Sequence, residues 1–262
     1  MFWKRKSQTV EAEFPPARLV APKLLDLARR RGPPPVPRAV ADAPQEEAHA
    51  EILRYLLSAC RDERGVHLET ALSCAGALAG FAAQMVVRSF AASAGMPSEK
   101  LFTIAIGADG RSYYSGTPLE TVLACGEEGE LSVWRVVSGP AREAGMTLPE
   151  PGDLLERISG TVGTGAFGEP SMAREGRLRE LPLDALKARW SETRAILERA
   201  GTAPTRWSIE VALAARTLIE QTRSALAPDT AASVVMESAV MMSKVDPSQV
   251  PGATGFSASQ AA

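Results

Sequence analysis

Apolar positions recur at three- and four-residue spacing along most of this chain, so the pattern predicts helices nearly throughout. From Glu46 to Arg61, Ala48, Ile52, Tyr55, Leu56 and Ala59 fall on one face, while Glu46, Glu47, Glu51 and Arg54 lie elsewhere. Gly65 interrupts the run, and a more apolar helix is predicted from about Val66 to Ser93, ending before Gly95 and Pro97. Pro182 to Ala200 aligns Leu183, Leu186, Trp190 and Leu197, with Gly201 as its stop. Pro204 to Leu226 repeats the pattern with Trp207, Val211, Ala214 and Leu218, leaving Arg216, Glu220 and Arg223 to pair on the wet side. In the last helix, Asp229 is placed to cap the start, and Val234, Ser238, Met241 and Val245 share a face. Shorter helices are predicted at Pro118 to Ala124, Leu131 to Ala144 and Asp153 to Ser159, the last capped by Asp153.

A period of two appears once. Leu101 to Ile106 sets Phe102, Ile104 and Ile106 on one side, and Asp109-Gly110 then supplies a turn before the aromatic segment Arg111 to Ser115. The expected fold class is therefore mainly α: a helical domain around a buried Ala/Gly-rich helix, with one small β-hairpin at about 101–115.

That Ala/Gly-rich helix has no charge from Thr70 to Val87, a length at the lower limit for a membrane span. Its large apolar side chains are few, and alanine, glycine, Ser73 and Gln84 add little transfer free energy. Ala71, Ala75, Ala79 and Ala83 recur every four residues, and Gly76 and Gly80 form GxxxG on the adjoining ridge. Small residues in a row let a second helix backbone approach closely, in water as in lipid. A buried hub helix is the reading favoured over a span.

Proline divides the chain. Eight prolines between Phe14 and Pro44 remove backbone donors, so residues 1–44 are expected to be a flexible Pro-rich arm. Residues 45–246 are expected to form a single helical domain, and 247–262, with Pro247, Pro251, Gly252 and Gly255 among small polar residues, a disordered tail. Lys4, Arg5 and Lys6 are not followed by an apolar stretch, so a secretory signal is not expected. Phe2 and Trp3 beside them allow at most a weak membrane-surface contact.

With 29 Lys plus Arg against 31 Asp plus Glu, the chain lacks the positive excess that phosphate neutralisation favours, and no nucleic-acid partner is expected. Cys60, Cys74 and Cys125 form no CxxC pair and are read as thiols, which suits a reducing, cytoplasmic setting.

His67 and Glu69 sit where the hub helix should begin and are the candidate catalytic residues, since an imidazole beside a carboxylate can do acid–base work. The competing reading is that Glu69 favours the positive helix terminus and His67 makes a structural hydrogen bond. HxE also opens the zinc-deaminase signature, but the PCxxC that supplies its thiolates is missing. Cys60, His67 and Cys74 are spaced by seven, about 10 Å along one helix, too far for a shared ion. Neither a metal nor a cofactor is expected. Gly163 to Gly168 fits GxGxxG, yet what precedes it looks helical and Pro170 follows, so it is read as a connecting loop. Tyr113, Tyr114, Trp134 and Arg135 are the candidate ligand-binding residues near the hairpin.

The stretches ALSCAGALAGFAAQ (71–84) and VMESAVMMSKVDP (235–247) resemble an uncharacterised bacterial family of unknown function. The resemblance implies neither an activity nor site residues. The function expected from these observations is a non-catalytic cytoplasmic protein-interaction or scaffold protein, joined to a protein partner or to a second copy through its Pro-rich arm or the Met236, Met241 and Met242 face of its last helix. The alternative is a small-molecule-binding protein or enzyme with a pocket near His67, Glu69 and Tyr113.

Overall fold

The computed structural model describes residues 47–124 and 131–253. The arm expected at 1–44 and Cys125 lie outside them. Helix α1 (Ala48–Ala59) buries Ala48, Ile52 and Leu56 of the face that its periodicity predicts, together with Leu53, while Tyr55 is half-buried and Ala59 exposed. The chain then reverses through two short antiparallel strands, β1 (Arg61–Asp62) and β2 (Gly65–Val66), a feature the hydrophobic pattern did not announce. Their turn is closed by the Arg64 amide donating to Asp62 Oδ1 at 2.8 Å and by Gly65 at φ 107°, a left-handed geometry that glycine adopts without a Cβ penalty.

Helix α2 (Leu68–Ser93) follows and is the hub: every residue from Thr70 to Met85 is buried. By length and composition it is the one helix among the described residues that could cross a membrane, but protein already covers it. Its wall is built from α8 (Pro182–Arg199), α9 (Trp207–Thr222) and above all α10 (Pro228–Met242). The GxxxG ridge explains the intimacy with α10. A Cβ added at Gly76 would stand 2.1 Å from the Val235 carbonyl oxygen, and one at Gly80 would stand 1.9 Å from that of Ala239. Backbone therefore lies directly on backbone.

The polar residues of the hub are used in the same seam. Ser73 and Ser238 share a hydroxyl hydrogen bond at 2.9 Å, and the fully buried Gln84 amide donates to the Val245 carbonyl at 3.1 Å. On the opposite side Phe81 meets Trp190 edge-on at 4.8 Å, and Trp190 in turn meets Trp207 at 6.1 Å. Buried aromatic faces of this kind carry much of a core's transfer free energy.

Strands β3 (Thr103–Ile106) and β4 (Ser112–Ser115) form the expected hairpin, pairing Ile104 with Tyr114 and Ala105 with Tyr113. Its buried face differs from the one that the alternation suggests. Phe102 is covered, but Ile104 and Ile106 point to solvent, because the hairpin is held along the outer edge of β4, by the chain leaving α10, rather than through the face that carries them. There Tyr113 bridges to Val245, and the Tyr114 amide donates to the Lys244 carbonyl at 2.9 Å.

Between hairpin and α8 run short helices: α3 (Thr117–Leu123), α4 (Val133–Val137), α5 (Gly139–Glu143), α6 (Pro151–Ser159) and α7 (Ser171–Arg174). The single helix expected from Leu131 to Ala144 is split at Ser138, since Pro140 has no amide to continue the ladder. Neither Asp153 nor Asp229 is a cap. Pro151 and Pro228 open those helices one or two residues earlier, which moves both aspartates into the first turn. Met236, Met241 and Met242, expected as an adaptable contact face, are buried instead.

Residues 247–253, placed by composition in a disordered tail, are packed. Asp246 accepts from the Ser248 amide at 2.8 Å, Val250 and Ala253 are buried, and α8 holds the segment through Ser191 and Arg194. Few residues carry this contact, and their sparse apolar content is why the pattern missed it.

Candidate functional site

The hairpin turn and the glycine-rich loop meet over the end of α10 and leave a pocket of about 310 Å³. The turn is built by the Gly107 amide donating to the Arg111 carbonyl at 2.8 Å, with Gly110 at φ 76°. Asp109 Oδ1 accepts from the Arg111 amide at 3.1 Å, an Asx arrangement that frees its second oxygen for Tyr113. The Tyr113 hydroxyl donates to Asp109 Oδ2 at 2.7 Å, and its ring meets Phe167 edge-on at 4.8 Å.

The 163–168 loop joins helix to helix, as its flanks predicted, and is not a dinucleotide turn. Its role here is to pack. A Cβ on Gly107 would lie 2.9 Å from Gly163 Cα, so the two loops touch only because both residues are glycine. Leu183, Met242 and Val245 line the apolar side of the pocket, while Asp109, Arg111 and Gln249 line the polar side. Burial, reinforced by the hydrogen bond to Asp109, pushes the Tyr113 hydroxyl up to about 12. The hydrogen bond from Tyr113, with that from the Arg111 amide, holds the Asp109 carboxyl below its ordinary value. The pair thus presents a phenol that stays protonated and a carboxylate that stays ionised, an arrangement suited to orienting a small polar ligand.

The other candidates lie elsewhere. His67 is the residue before α2, and its Nδ1 is 2.8 Å from Thr70 Oγ1, which also accepts from the Arg179 amide at 3.0 Å. Glu69 stands in the first turn, where its charge complements the helix terminus. Neither residue lines the Tyr113 pocket. Tyr114 packs edge-on against Phe102 at 5.5 Å, and the Arg88 guanidinium lies over both rings, 4.7 Å from the Tyr114 centroid and 5.0 Å from that of Phe102. That is a cation–π anchor between hub and hairpin.

Trp134 and Arg135 border a second, shallower hollow with Ser132, Arg142 and Glu150, separate from Tyr113. The four ligand-binding candidates are therefore divided among three places.

No family model, curated protein or solved structure matches the chain.

One arrangement escaped the sequence reading. The pairing of Asp109 with Tyr113 could have been suspected from a turn aspartate four residues before a strand tyrosine. Among the described residues no group of three His, Cys, Asp or Glu side chains is placed to hold a metal ion.

Proposed function

We propose that this protein is a non-catalytic interaction protein of the cytoplasm that associates with a second copy of itself through β3. The observation that carries this reading is the exposure of an uncharged edge strand: Ile104 is 41% and Ile106 68% exposed, and Thr103 and Ala105 are also open to solvent. The far edge of β4 is occupied by Lys244 and Val245, so among the described residues β3 presents the open row of amides and carbonyls. Proteins usually blunt such an edge with charge, proline or a bulge, and Thr103 to Ile106 has neither a charged residue nor a proline.

A second copy is the occupant that this chemistry favours. Antiparallel pairing about a two-fold axis sets an uncharged strand against its own equivalent, with Ile104 and Ile106 from each side in the contact. The net charge of −2 offers little long-range repulsion between copies. Four residues a side make a small contact, well below a standard interface, so association should depend on concentration. The thiol reading of Cys60 and Cys74 supports the reducing compartment.

The alternative, a small-molecule-binding protein, now rests on the Tyr113 pocket, since His67 and Glu69 stand apart from it. Sedimentation over a wide concentration range tests the main reading. The wild-type chain should shift from monomer toward dimer, and Ile106→Lys should remain monomeric. Association untouched by I106K, or a monomer at every concentration, would overturn it.

A further inference from the structure

The pocket between the hairpin turn and the 163–168 loop combines two kinds of lining. Asp109 and Arg111 bring both signs of charge, and Leu183, Met242, Val245 and the Phe167 ring supply apolar surface. At about 310 Å³ it stands at the lower end of the ~300–1,000 Å³ typical of ligand pockets, so a small molecule with one short apolar arm fits its size.

The two charges do not exhaust each other. Arg111 Nε stands 3.7 Å from Asp109 Oδ2, beyond hydrogen-bonding distance, and the two side chains are 55% and 37% exposed. Asp109 Oδ1 accepts from the Arg111 amide and Oδ2 from the Tyr113 hydroxyl. A carboxylate has about four acceptor positions, so each oxygen keeps one open. With Asp109 and Tyr113 as its neighbours, the Arg111 guanidinium likewise keeps most of its N–H donors open among the described residues. The arrangement is fixed by the turn itself. A Cβ on Gly107 would lie 2.6 Å from Asp109 Oδ1 and 2.7 Å from Tyr113 Cε2, so glycine is what lets carboxylate and phenol close together there. Gln249, carried in by the packed 247–253 segment, adds an amide that can both donate and accept.

A ligand with a single charge gains little from such a wall. A cation drawn to Asp109 meets Arg111, and an anion drawn to Arg111 meets Asp109. A ligand carrying both charges side by side satisfies both groups. We propose that this pocket binds a free α-amino acid with an apolar side chain. Its ammonium group donates to Asp109, its carboxylate accepts from Arg111, and its side chain lies on Leu183, Met242 and Val245. An α-amino acid carries both charged groups on one carbon, which matches the close spacing of Asp109 and Arg111 and leaves the third arm for the apolar surface. The assignment rests on the small-molecule reading of this pocket and is separate from association through β3.

An amide NMR titration of the full-length chain with L-leucine tests it. Isoamylamine, which lacks the carboxylate, and isocaproate, which lacks the ammonium group, serve as partial probes. Leucine should shift the amides from Gly107 to Tyr113 and from Gly163 to Gly168 saturably. Each partial probe should bind about tenfold more weakly, or worse, for want of one charge-assisted contact. In Arg111→Gln leucine should lose its advantage over isoamylamine, and in Asp109→Asn its advantage over isocaproate. Each variant is judged by a ratio between two ligands, so a general loosening of the turn cannot imitate the result. Ile106→Lys should bind leucine as the wild type does, which keeps this outcome distinct from that of β3 association. The absence of a saturable leucine shift, shifts confined to other residues, or a partial probe that binds as tightly as leucine would overturn the proposal. So would an R111Q chain that keeps the full preference for leucine.

Discussion

At the residue scale, the side chains expected to do chemistry are mostly occupied with holding the fold. His67 is bonded to Thr70 at the entrance of α2, and Tyr114 packs against Phe102 beneath the Arg88 guanidinium. The Asp109–Tyr113 pair is the exception, because it faces a pocket. Its ionisation has a definite sign. The Tyr113 pKa is raised from 10.0 to about 12 on folding, so the stability it contributes is fully present below pH 10 and is lost as pH rises toward 12. Asp109→Asn removes the anionic acceptor but leaves the burial. Alkaline titration followed by tyrosinate absorbance should then show Tyr113 ionising at lower pH than in the wild type, though still above an exposed tyrosine. An unchanged titration would mean that the hydrogen bond has no influence on the phenol.

Among the elements, the seam between α2 and α10 is the most sensitive contact. Alanine is the better helix former by about 1 kcal/mol, yet at Gly76 its methyl would be driven into the Val235 carbonyl at 2.1 Å. Overpacking against backbone cannot be relieved by a rotamer change, so Gly76→Ala should lower stability by about 2 kcal/mol or more in urea unfolding. Gly152 in α6 has nothing within 4 Å of its virtual Cβ, and Gly152→Ala should instead be neutral or stabilising by a few tenths of a kcal/mol. Equal effects at the two sites would refute the contact.

The hub was legible because a four-residue repeat of alanine beside GxxxG has a direct physical meaning. The helices α1, α8, α9 and α10 were legible for the related reason that their stripes are long. Proline was the commonest source of error, splitting the 131–144 segment and shifting two helix starts ahead of Asp153 and Asp229. The candidate site was less legible, since Tyr113, Trp134 and His67 are separated by tertiary packing that no local period encodes.

In the molecule as a whole, the two ends of the hub serve different neighbours. Its N-terminal end receives Cys60 and the β1–β2 reversal, while its far end receives the hairpin through Arg88 and, by way of Gln84, Val245. The segment 247–253 then returns to α8 and closes the outside of the pocket with Gln249. Val250→Asp would place an unpaired carboxylate at a position only 3% exposed. The cost of burying such a group is about 2 kcal/mol or more, and thermal unfolding should report it as a clear fall in Tm. An unchanged Tm would show that the segment adds nothing to the fold.

The glycine seam also works as a gauge of alignment. Gly76 and Gly80 are one helical turn apart, as are the carbonyls of Val235 and Ala239 that fill them. Sliding α10 by a full turn would carry one of these carbonyls off the glycines and against Leu72 or Gln84, one turn beyond them. The seam thus admits discrete settings rather than a continuum. Because Lys244 and Val245 leave α10 at a fixed distance beyond the notches, the setting chosen there dictates where the hairpin can stand.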